Sequence, residues 1–518
     1  MDFQTEDSAT MLLSAPSKDE HRTFDRTPSV YSPLRTYTLP KGENRHYQQQ
    51  YADMYFARLA QLKPAVESIA AESFSDFEIA GELARKVERV LDVRQGELCW
   101  VIGTAYMEMP LKPNVLEDIG KEHWIAAPPP RVKYGDGGLG LTDAAGAHSG
   151  VQGVGTQTML EDESGRLRLT GGFLQSVLLV TGAIVAVLGT ENKDGDFEVL
   201  DLRVPDLPRQ PQRWERDDGE AALSGKKVTQ KRADAGKVAI VSGLGITGDA
   251  GDTVMLDLLM EYLLGESTSP LDQEEAANIS RLIIAGNPLS NASPIPTRQE
   301  AAATSKNRGQ KKYGYDSSNY NAAPTDRLDT WLASLLPSIP ITLLPGDSDP
   351  TGTSLPQQPI HPAMFPHSRA YMELPLGSSK EISWFDSQTN PADFDLDGYR
   401  FLGTGGQTVD DVYKYVAGEE RLEMMEAMLR WRLTAPTAPD TLWCYPFQDG
   451  DQFVLKECPH VFIVGNQPKF ETTIIEGPRG ERVRLVTVPK FSETGEIVVM
   501  NMETLVPEVI KFEVFEGG

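Results

Sequence analysis

The C-terminal half of the sequence contains four short apolar segments, and each is followed directly by a turn of glycine and small polar residues. The segments are 238–241, 282–285, 339–344 and 461–464, with helix-like patterns between them. Apolar runs of this length that alternate with helices predict the buried strands of a layered α/β domain. Binding and catalytic groups in such sheets lie at the carboxyl ends of the strands. The four turns are therefore where the sequence predicts a site.

The four turns offer few groups that could bind a metal ion. Divalent ions in phosphate-cleaving sites are held by anionic oxygens and imidazole nitrogens. Only Asp347 and Asp349 provide such atoms in the turns, while His361, His367 and His460 lie outside them. We expect a pocket that binds no cofactor and has no catalytic residue, with a weakly held divalent ion at the two aspartates as the alternative. The residues of this expected pocket are Gly243, Gly245, Asn287, Asp347, Ser348, Asp349, Asn466 and Pro468.

The order of the turns resembles the calcineurin-like phosphoesterases. Members of that family carry Asp-x-His, Gly-Asp, Gly-Asn-His-Asp/Glu and Gly-His-x-His after the corresponding strands, and these residues hold two metal ions about 3.5–4 Å apart. The resemblance implies that Asp349 keeps its acid while the other ligands are replaced. The positions matched to lost ligands are Gly243 and Gly245 for Asp and His, Asn287 for the bridging Asp, Asp347 and Ser348 for Asn and His, and Asn466 and Pro468 for two His residues.

Residues 97–204 have the pattern of a small β-barrel. Short apolar or alternating segments follow one another there, and Gly103 lies inside the first of them. Several short strands with an internal glycine are typical of an OB-fold. Ahead of this region, apolar residues spaced by three and four predict a helix that Pro64 kinks or ends, and a second helix from about Ser75. The first apolar face is formed by Tyr51, Tyr55, Leu59, Leu62, Val66 and Ile69, and the second by Ile79, Leu83, Val87 and Leu91.

These patterns predict an α+β multidomain protein. An N-terminal OB-type β-barrel with flanking helices is expected to pack on a layered α/β metallophosphoesterase-like domain. Polar, Pro-rich and Gly-rich stretches around them predict loose segments. The expected organisation is a disordered tail (1–42), N-terminal helices (43–96), an OB-fold domain (97–204) with a mobile insertion (134–157), a linker (205–236), and an inactive calcineurin-like phosphoesterase domain (237–518) with a polar insertion (291–321).

The net charge of −26 argues against a protein that binds nucleic acid by itself. Binding to phosphates needs positive potential, and the barrel segments contribute few basic residues, namely Arg166, Arg168 and Arg203. Two basic clusters lie in polar segments and are either nuclear-import signals or solvated loops. They are formed by Lys226, Lys227, Lys231 and Arg232, and by Lys306, Arg308, Lys311 and Lys312.

The three cysteines, Cys99, Cys444 and Cys458, are too few and too scattered for a disulfide framework or a zinc module. We expect reduced thiols in an intracellular protein. No apolar run reaches the roughly 20 residues of a membrane-spanning helix. The N-terminus lacks the pattern of a secretory signal.

A barrel followed by a phosphoesterase-like domain without its ligands resembles the accessory B-type chains of eukaryotic and archaeal replicative DNA polymerases. Within that group the sequence is similar to the small subunits of DNA polymerase delta, from about residue 30 to the end. Each matching stretch is short, and their common order makes the resemblance specific. The stretches are 45–52, 129–134, 241–245, 355–362, 400–407 and 436–442.

The resemblance implies an accessory subunit of DNA polymerase delta that acts in DNA replication, repair and translesion synthesis. It implies one surface that holds the C-terminal cysteine-rich module of the catalytic subunit, and a second that anchors the third, sliding-clamp-binding subunit. In fungal members the same subunit also serves DNA polymerase zeta. The resemblance further implies location in the nucleus, contact with DNA only through partners, and no contact with membranes.

Other functions stay open at this point. One is a metal-dependent phosphodiesterase or exonuclease with remodelled ligands, and another is an OB-fold protein that binds single-stranded DNA. The segment 243–248 fits the G-x-G-x-x-G pattern of a dinucleotide site, although no acidic residue clearly follows at the end of a second strand. Trp443, Tyr445 and Phe447 alternate, which suits either base stacking or one face of a core.

Overall fold

The structure is a computed structural model, and the account of the fold covers the residues that it describes. The expected tail before residue 24, both basic clusters, most of the insertion at 134–157 and all of that at 291–321 lie outside those residues. The described residues are 24–40, 50–79, 81–113, 133–135, 155–215, 236–248, 254–266, 270–290, 322–372, 384–448 and 450–514.

Residues 24–40 form an extended segment along the C-terminal domain, called the N-terminal strap, so the expectation of a disordered tail is wrong for this part. The Arg26 guanidinium donates hydrogen bonds to three backbone carbonyls at 2.8, 2.7 and 2.6 Å. Strand β1 (Tyr31–Pro33) pairs antiparallel with a strand of the C-terminal domain, and Tyr37 and Leu39 are buried. A few anchoring side chains order the segment, which its average polar composition does not reveal.

Helix α1 (Tyr51–Phe74) continues through Pro64. Of the two expected effects of this proline, the ending of the helix is wrong, and the kink stays a prediction. A proline inside a helix removes one hydrogen bond and costs about 3 kcal/mol. Leu62 and Val66, on either side of it, are both buried in the core shared with the barrel. The burial of one continuous apolar face offsets that cost, because tertiary packing supplies most of the stability of a helix in a protein.

The second expected N-terminal helix is instead a β-hairpin. Strands β2 (Glu78–Ile79) and β3 (Glu82–Leu83) pair antiparallel, and Gly81 between them has a φ of +87°. This left-handed conformation suits glycine and interrupts a helix. The spacing of Ile79 and Leu83 by four residues suggested an apolar helix face, but both side chains are exposed.

The next six strands form one sheet, and five of them close into a β-barrel. The six strands are β4 (Arg85–Lys86), β5 (Leu98–Glu108), β6 (Gln157–Glu161), β7 (Arg166–Thr170), β8 (Ile184–Glu191) and β9 (Phe197–Arg203). Their hydrogen-bonded order is β4-β5-β6-β7-β9-β8, and β5 also pairs with β8, which closes β5 to β9 into the barrel. A side chain at Gly103 in β5 would meet the backbone oxygen of Glu161 at 2.7 Å. The glycine that suggested a barrel therefore permits the close approach of two strands.

Strands β10–β20 build the C-terminal body. They are β10 (Lys237–Val241), β11 (Ile279–Ala285), β12 (Ile341–Leu344), β13 (Phe385–Ser387), β14 (Ala392–Leu396), β15 (Tyr399–Thr404), β16 (Val461–Gln467), β17 (Glu471–Glu476), β18 (Arg482–Pro489), β19 (Glu496–Asn501) and β20 (Pro507–Lys511). The strands expected at 238–241, 282–285, 339–344 and 461–464 are all present, as β10, β11, β12 and β16.

Helices lie along these strands. They are α2 (Val254–Leu264), α3 (Pro270–Ala277), α4 (Ala323–Leu335), α5 (Gln407–Tyr415), α6 (Arg421–Arg430) and α7 (Phe491–Thr494). The three cysteines are buried and free. Across the described part of the chain, no helix has the length and apolar character to cross a membrane.

The C-terminal strands form two six-stranded sheets that pack face to face. One has the order β13-β12-β11-β10-β19-β20, and the other has the order β1-β14-β15-β16-β18-β17. A buried hydrophobic cluster joins their facing sides, with Ile240 and Ile283 from the first sheet and Phe401 and Ile463 from the second. A second cluster packs α2 and α4 on the first sheet. A third cluster joins α1, the barrel, α5, α6 and the second sheet, so both bodies share one core.

A buried ion pair fixes the barrel to the C-terminal body. Arg58 of α1 donates to Asp451 at 2.5 Å, and the two side chains are 1% and 0% exposed. The same guanidinium donates to the backbone oxygens of Pro436 at 2.6 Å and Ala435 at 3.4 Å. A side chain at Gly182, in the barrel, would overlap the Pro436 oxygen and the guanidinium. This Arg58 junction therefore locks the helix, the barrel and the C-terminal body together.

The linker expected at 205–236 is ordered in its first part. Residues 205–215 run along the C-terminal body, where Asp206 pairs with Arg430 at 2.6 Å and Leu207 is buried. The remainder lies outside the described residues. The Pro-rich composition suggested a spacer, but specific polar and apolar contacts attach this part to the domain.

Replacing Arg58 by alanine should lower the free energy of unfolding by roughly 3–5 kcal/mol, because it leaves the buried Asp451 carboxylate without its partner. The matched control is Arg89→Ala, which removes an exposed ion pair with Asp92 and should leave the stability almost unchanged. Urea denaturation of both purified variants measures the difference. Equal losses in the two variants would contradict the role of the Arg58 junction.

Candidate functional site

The four predicted turns meet at one edge of the paired sheets. They follow β10, β11 and β12 in the first sheet and occupy the end of β16 in the second. The Gly243 amide donates to the Gly286 oxygen at 2.9 Å, which joins the first and second turns. The backbone N–H of Asn466 donates to the Ser242 hydroxyl at 2.9 Å, which joins the fourth turn to the first. The chain thus brings the expected segments into hydrogen-bonding contact.

The second and third turns interlock through short polar side chains. The Asn287 side-chain oxygen accepts the Ser348 amide at 3.3 Å, and the Ser348 hydroxyl donates to the Leu289 oxygen at 2.6 Å. Asn287 has a φ of +52°, a left-handed conformation that asparagine tolerates better than most residues. A side chain at Gly346 would overlap Asn287. The role of Asn287 is therefore structural: it shapes the second turn and joins it to the third.

Glycine is required at both matched positions of the first turn. Gly243 and Gly245 have φ values of +60° and +63°. A side chain at the first would meet Asn466 Oδ1 at 2.8 Å, and one at the second would meet Ser492 at 2.9 Å. An Asp and a His could therefore not enter these positions without movement of the fourth turn and the segment after β18.

The same two glycines are unsuited to a dinucleotide site. A pyrophosphate is bound by free backbone N–H groups at such a turn. The amides of Gly243 and Gly245 already donate to the second turn at 2.9 and 3.4 Å. Lys490 and Ser492 occupy the space next to them. The dinucleotide alternative is therefore not supported.

Asp349 acts as a structural carboxyl group. Its Oδ2 accepts the Gly346 amide at 2.7 Å, and its Oδ1 accepts the Leu289 amide at 3.2 Å. Burial raises the pKa of Asp349 from an ordinary value of 3.8 to about 8; the Asp347 carboxylate adds to this rise and the backbone hydrogen bonds oppose it. A carboxyl group with this pKa is largely protonated at neutral pH, so it attracts a cation weakly.

The remaining groups of metal-binding type are scattered. Asp347 and Pro468, two of the expected pocket residues, are exposed. His361 accepts a backbone amide at 3.1 Å in a loop. His460 accepts the Arg400 amide at 2.9 Å, and burial lowers the pKa of its imidazole to about 4. Among the described residues, no group of three or more His, Cys, Asp or Glu side chains is placed to hold a metal ion.

Sequence reasoning missed three amide side chains that close this edge of the sheets. The Asn390 amide donates to the side-chain oxygens of Gln357 and Gln407, both at 2.8 Å. Gln407 donates to Gln357 at 3.0 Å, and Gln357 donates to the Gly346 oxygen at 3.0 Å. Two of the three lie in stretches that carried the family resemblance, but nothing in their pattern indicated this contact. We call these three residues the amide network.

The barrel does not present free cations on the strands that suggested single-strand binding. Each of the three arginines lies beside an acid, which cancels much of the positive potential that phosphate binding needs. The ion pairs are Arg166 with Glu161, Arg168 with Asp196, and Arg203 with Asp201.

Two of the three alternating aromatic residues belong to the core. Tyr445 and Phe447 are 7% and 5% exposed, and their ring centroids are 5.3 Å apart in an edge-to-face arrangement. Phe447 makes a similar contact with Phe453 at 5.6 Å. Buried rings cannot stack on bases, so the core interpretation is confirmed for these two residues.

Two families match successive parts of the chain. The family described as DNA polymerase delta subunit OB-fold domain matches residues 50–202. The family of the DNA polymerase alpha/epsilon B subunit matches residues 238–472. The first match spans α1 and the barrel, and the second spans the four turns.

The chain is also similar to curated proteins over nearly its full length. It is 32% identical over 499 residues to the DNA polymerase delta small subunit of Saccharomyces cerevisiae, which covers 91% of each chain. It is 33% identical over 497 residues to the DNA polymerase delta small subunit of Arabidopsis thaliana, covering 95% of this chain and 98% of the relative. The chain belongs to the DNA polymerase delta small-subunit family.

A further member of the DNA polymerase delta small-subunit family shows the same extent of similarity. DNA polymerase delta subunit 2 of Drosophila melanogaster is 32% identical over 498 residues, covering 95% of this chain and 99% of the relative. Family membership confirms the resemblance drawn from the sequence. It also confirms the expected N-terminal OB-fold domain, within a mixed α+β architecture.

Replacing Gly243 by alanine should lower the free energy of unfolding by about 1–3 kcal/mol, because a non-glycine residue is strained at this positive φ and its side chain would press on Asn466. The control is Gly352→Ala, at an exposed position where a side chain would meet nothing within 4 Å. That variant should change the stability by less than about 0.5 kcal/mol. Thermal unfolding compares the two, and an unchanged midpoint for the Gly243 variant would refute the packing described for the first turn.

Asp349 should contribute a recognisable pH dependence to stability. Its pKa in the folded protein is raised to about 8, so the stabilisation is complete below pH 4 and is lost as the pH rises toward 8. The stability of the wild type minus that of Asp349→Asn should therefore decrease between pH 5 and pH 8. Urea titrations across this range measure the difference, and a difference that stays constant would show that Asp349 does not titrate there.

Proposed function

We propose that this protein is a non-catalytic accessory subunit of DNA polymerase delta that serves nuclear DNA replication and repair as a rigid scaffold. The observation that carries the proposal is its similarity, over nine-tenths or more of the chain, to proteins named as the small subunit or subunit 2 of that polymerase. The closed edge of the sheets supports the non-catalytic part. Protonated Asp349 and the neutral amide network offer little to bind two divalent ions.

We also propose that residues 237–518 are an inactive calcineurin-like phosphoesterase domain. Two features support this assignment: the two six-stranded sheets pack face to face, and the four turns meet at one edge of them. The matched ligand positions carry glycine, asparagine and serine, and the first turn leaves no space for larger side chains. Such a domain retains the packing of an enzyme while its pocket is closed by hydrogen bonds.

The partners follow from the same proposal. One surface would hold the C-terminal cysteine-rich module of the catalytic subunit, and a second would anchor the third subunit. DNA polymerase zeta is proposed as a further complex that uses the chain. The Arg58 junction supports this role, because a body whose domains are fixed relative to each other loses less entropy when a partner binds both. DNA would be contacted through these partners, in the nucleus.

Co-expression tests the accessory role. The full chain is produced with the catalytic and third subunits of the same polymerase, and the products are separated by size-exclusion chromatography. All three should elute together, and omission of this chain should separate the other two. Separate elution of this chain, while the other two remain joined, would refute the scaffold proposal.

Hydrolysis tests the non-catalytic role. The purified chain is incubated with Mn²⁺ and either a nitrophenyl phosphodiester or single-stranded DNA. We expect no product above a protein-free blank. Turnover that is lost in both Asp349→Ala and the exposed-site variant Asp347→Ala would establish the phosphodiesterase alternative. The second variant separates a chemical effect from unfolding, because Asp347 is exposed and is not needed for packing.

A further inference from the structure

The N-terminal strap contains a short sequence motif that protein kinases recognise. Ser32 is followed by Pro33 and, three positions after the serine, by Arg35. No other Ser-Pro or Thr-Pro pair in the sequence has a lysine or arginine three positions after the hydroxyl residue. Proline-directed kinases select a serine before proline in an extended segment, and charge patterns around the serine add specificity. The motif is thus unique in this chain.

The fold presents this motif to solvent. Ser32 lies in the middle of β1, with its side chain exposed between the buried Tyr31 and the half-buried Pro33. Arg35 is also exposed, and it forms no ion pair with any residue that the structure describes. β1 is an edge strand of three residues. Opening β1 releases the pairing of three residues and the buried Tyr31, whose hydroxyl donates to Asp386 at 2.7 Å. This local opening lets a kinase take up the segment without unfolding the domain.

The surroundings of Ser32 are acidic. Asp395 lies directly opposite in the antiparallel pair, and Glu215 lines the same shallow depression. Asp395 pairs with Arg400 at 2.8 Å, but that arginine also pairs with Glu457 at 2.7 Å. A doubly charged phosphate at Ser32 would therefore face Asp395 and Glu215, and the arginine beside Asp395 is already shared by two carboxylates. Phosphate beside acidic groups disrupts a contact by repulsion.

We propose that Ser32 is a phosphorylation site for a proline-directed protein kinase, and that the phosphate loosens the N-terminal strap from the sheet. The kinase transfers the γ-phosphoryl group of ATP to Ser32 Oγ. A new P–O bond forms, ADP leaves, and the hydroxyl proton passes to the catalytic aspartate of the kinase. Repulsion from Asp395 then weakens the pairing of β1 with β14, while the contacts of Arg26 keep the start of the strap in place.

The modification is tested on the full chain with ATP and a purified cyclin-dependent kinase, followed by mass spectrometry. We expect phosphate on Ser32, none at this position in Ser32→Ala, and unchanged labelling of Ser32 in Thr27→Ala, whose Thr-Pro pair lacks the basic residue. Arg35→Ala should slow the reaction about tenfold, since a charge-assisted contact is lost. Absence of phosphate on Ser32 after complete reaction of a control substrate would overturn the assignment of the site.

The loosening is tested by limited trypsin digestion after Arg35. Phosphorylated protein should be cut there roughly fivefold faster than unmodified protein, as expected for a like-charge repulsion across a strand pair. The acceleration should shrink in Asp395→Asn, which removes the opposing charge. Equal cleavage rates with and without phosphate on Ser32 would overturn the proposed effect on the strap.

Discussion

The Arg58 junction is the contact on which the architecture depends. Burial of an ion pair is costly, and such a pair persists only when its remaining hydrogen-bonding groups are also satisfied. Arg58 meets this condition because its other nitrogens donate to two backbone carbonyls of the C-terminal body. Glycine at position 182 lets the barrel approach the same carbonyls. Helix, barrel and paired sheets therefore share one core, as a scaffold with fixed surfaces requires.

The edge where the four turns meet is stabilised by hydrogen bonds between neutral groups and not by a buried ion pair. A two-metal site keeps several like charges together only because the ions neutralise them. Here Asp349 is the buried acid, with its pKa raised by burial, and neutral amides form the remaining contacts. Hydrogen bonds between Asn390, Gln357 and Gln407 close the space. The strands and turns at this edge are therefore stabilised without metal. The positive φ of Gly243 makes any other residue at this position costly.

The strand order and the meeting of the turns could be predicted because buried strands leave a local signal. The apolar runs before Gly243, Asn287 and Asp347 each became a strand of one sheet. The amide network could not be predicted, because its three members come from two loops and the start of α5, and no spacing rule relates them. The spacing of apolar residues also led to one wrong prediction. Ile79 and Leu83 are spaced like one face of a helix, but Gly81 between them forms a hairpin turn.

Metal occupancy at the four turns tests the account most directly. Crystals of the full chain are soaked in MnCl₂, and anomalous diffraction is collected at the manganese edge. We predict no anomalous peak within coordination distance of Asn287, Asp349 or Asn466. A pair of peaks about 3.5–4 Å apart between these residues would contradict the account, since that spacing is typical of a two-metal catalytic site.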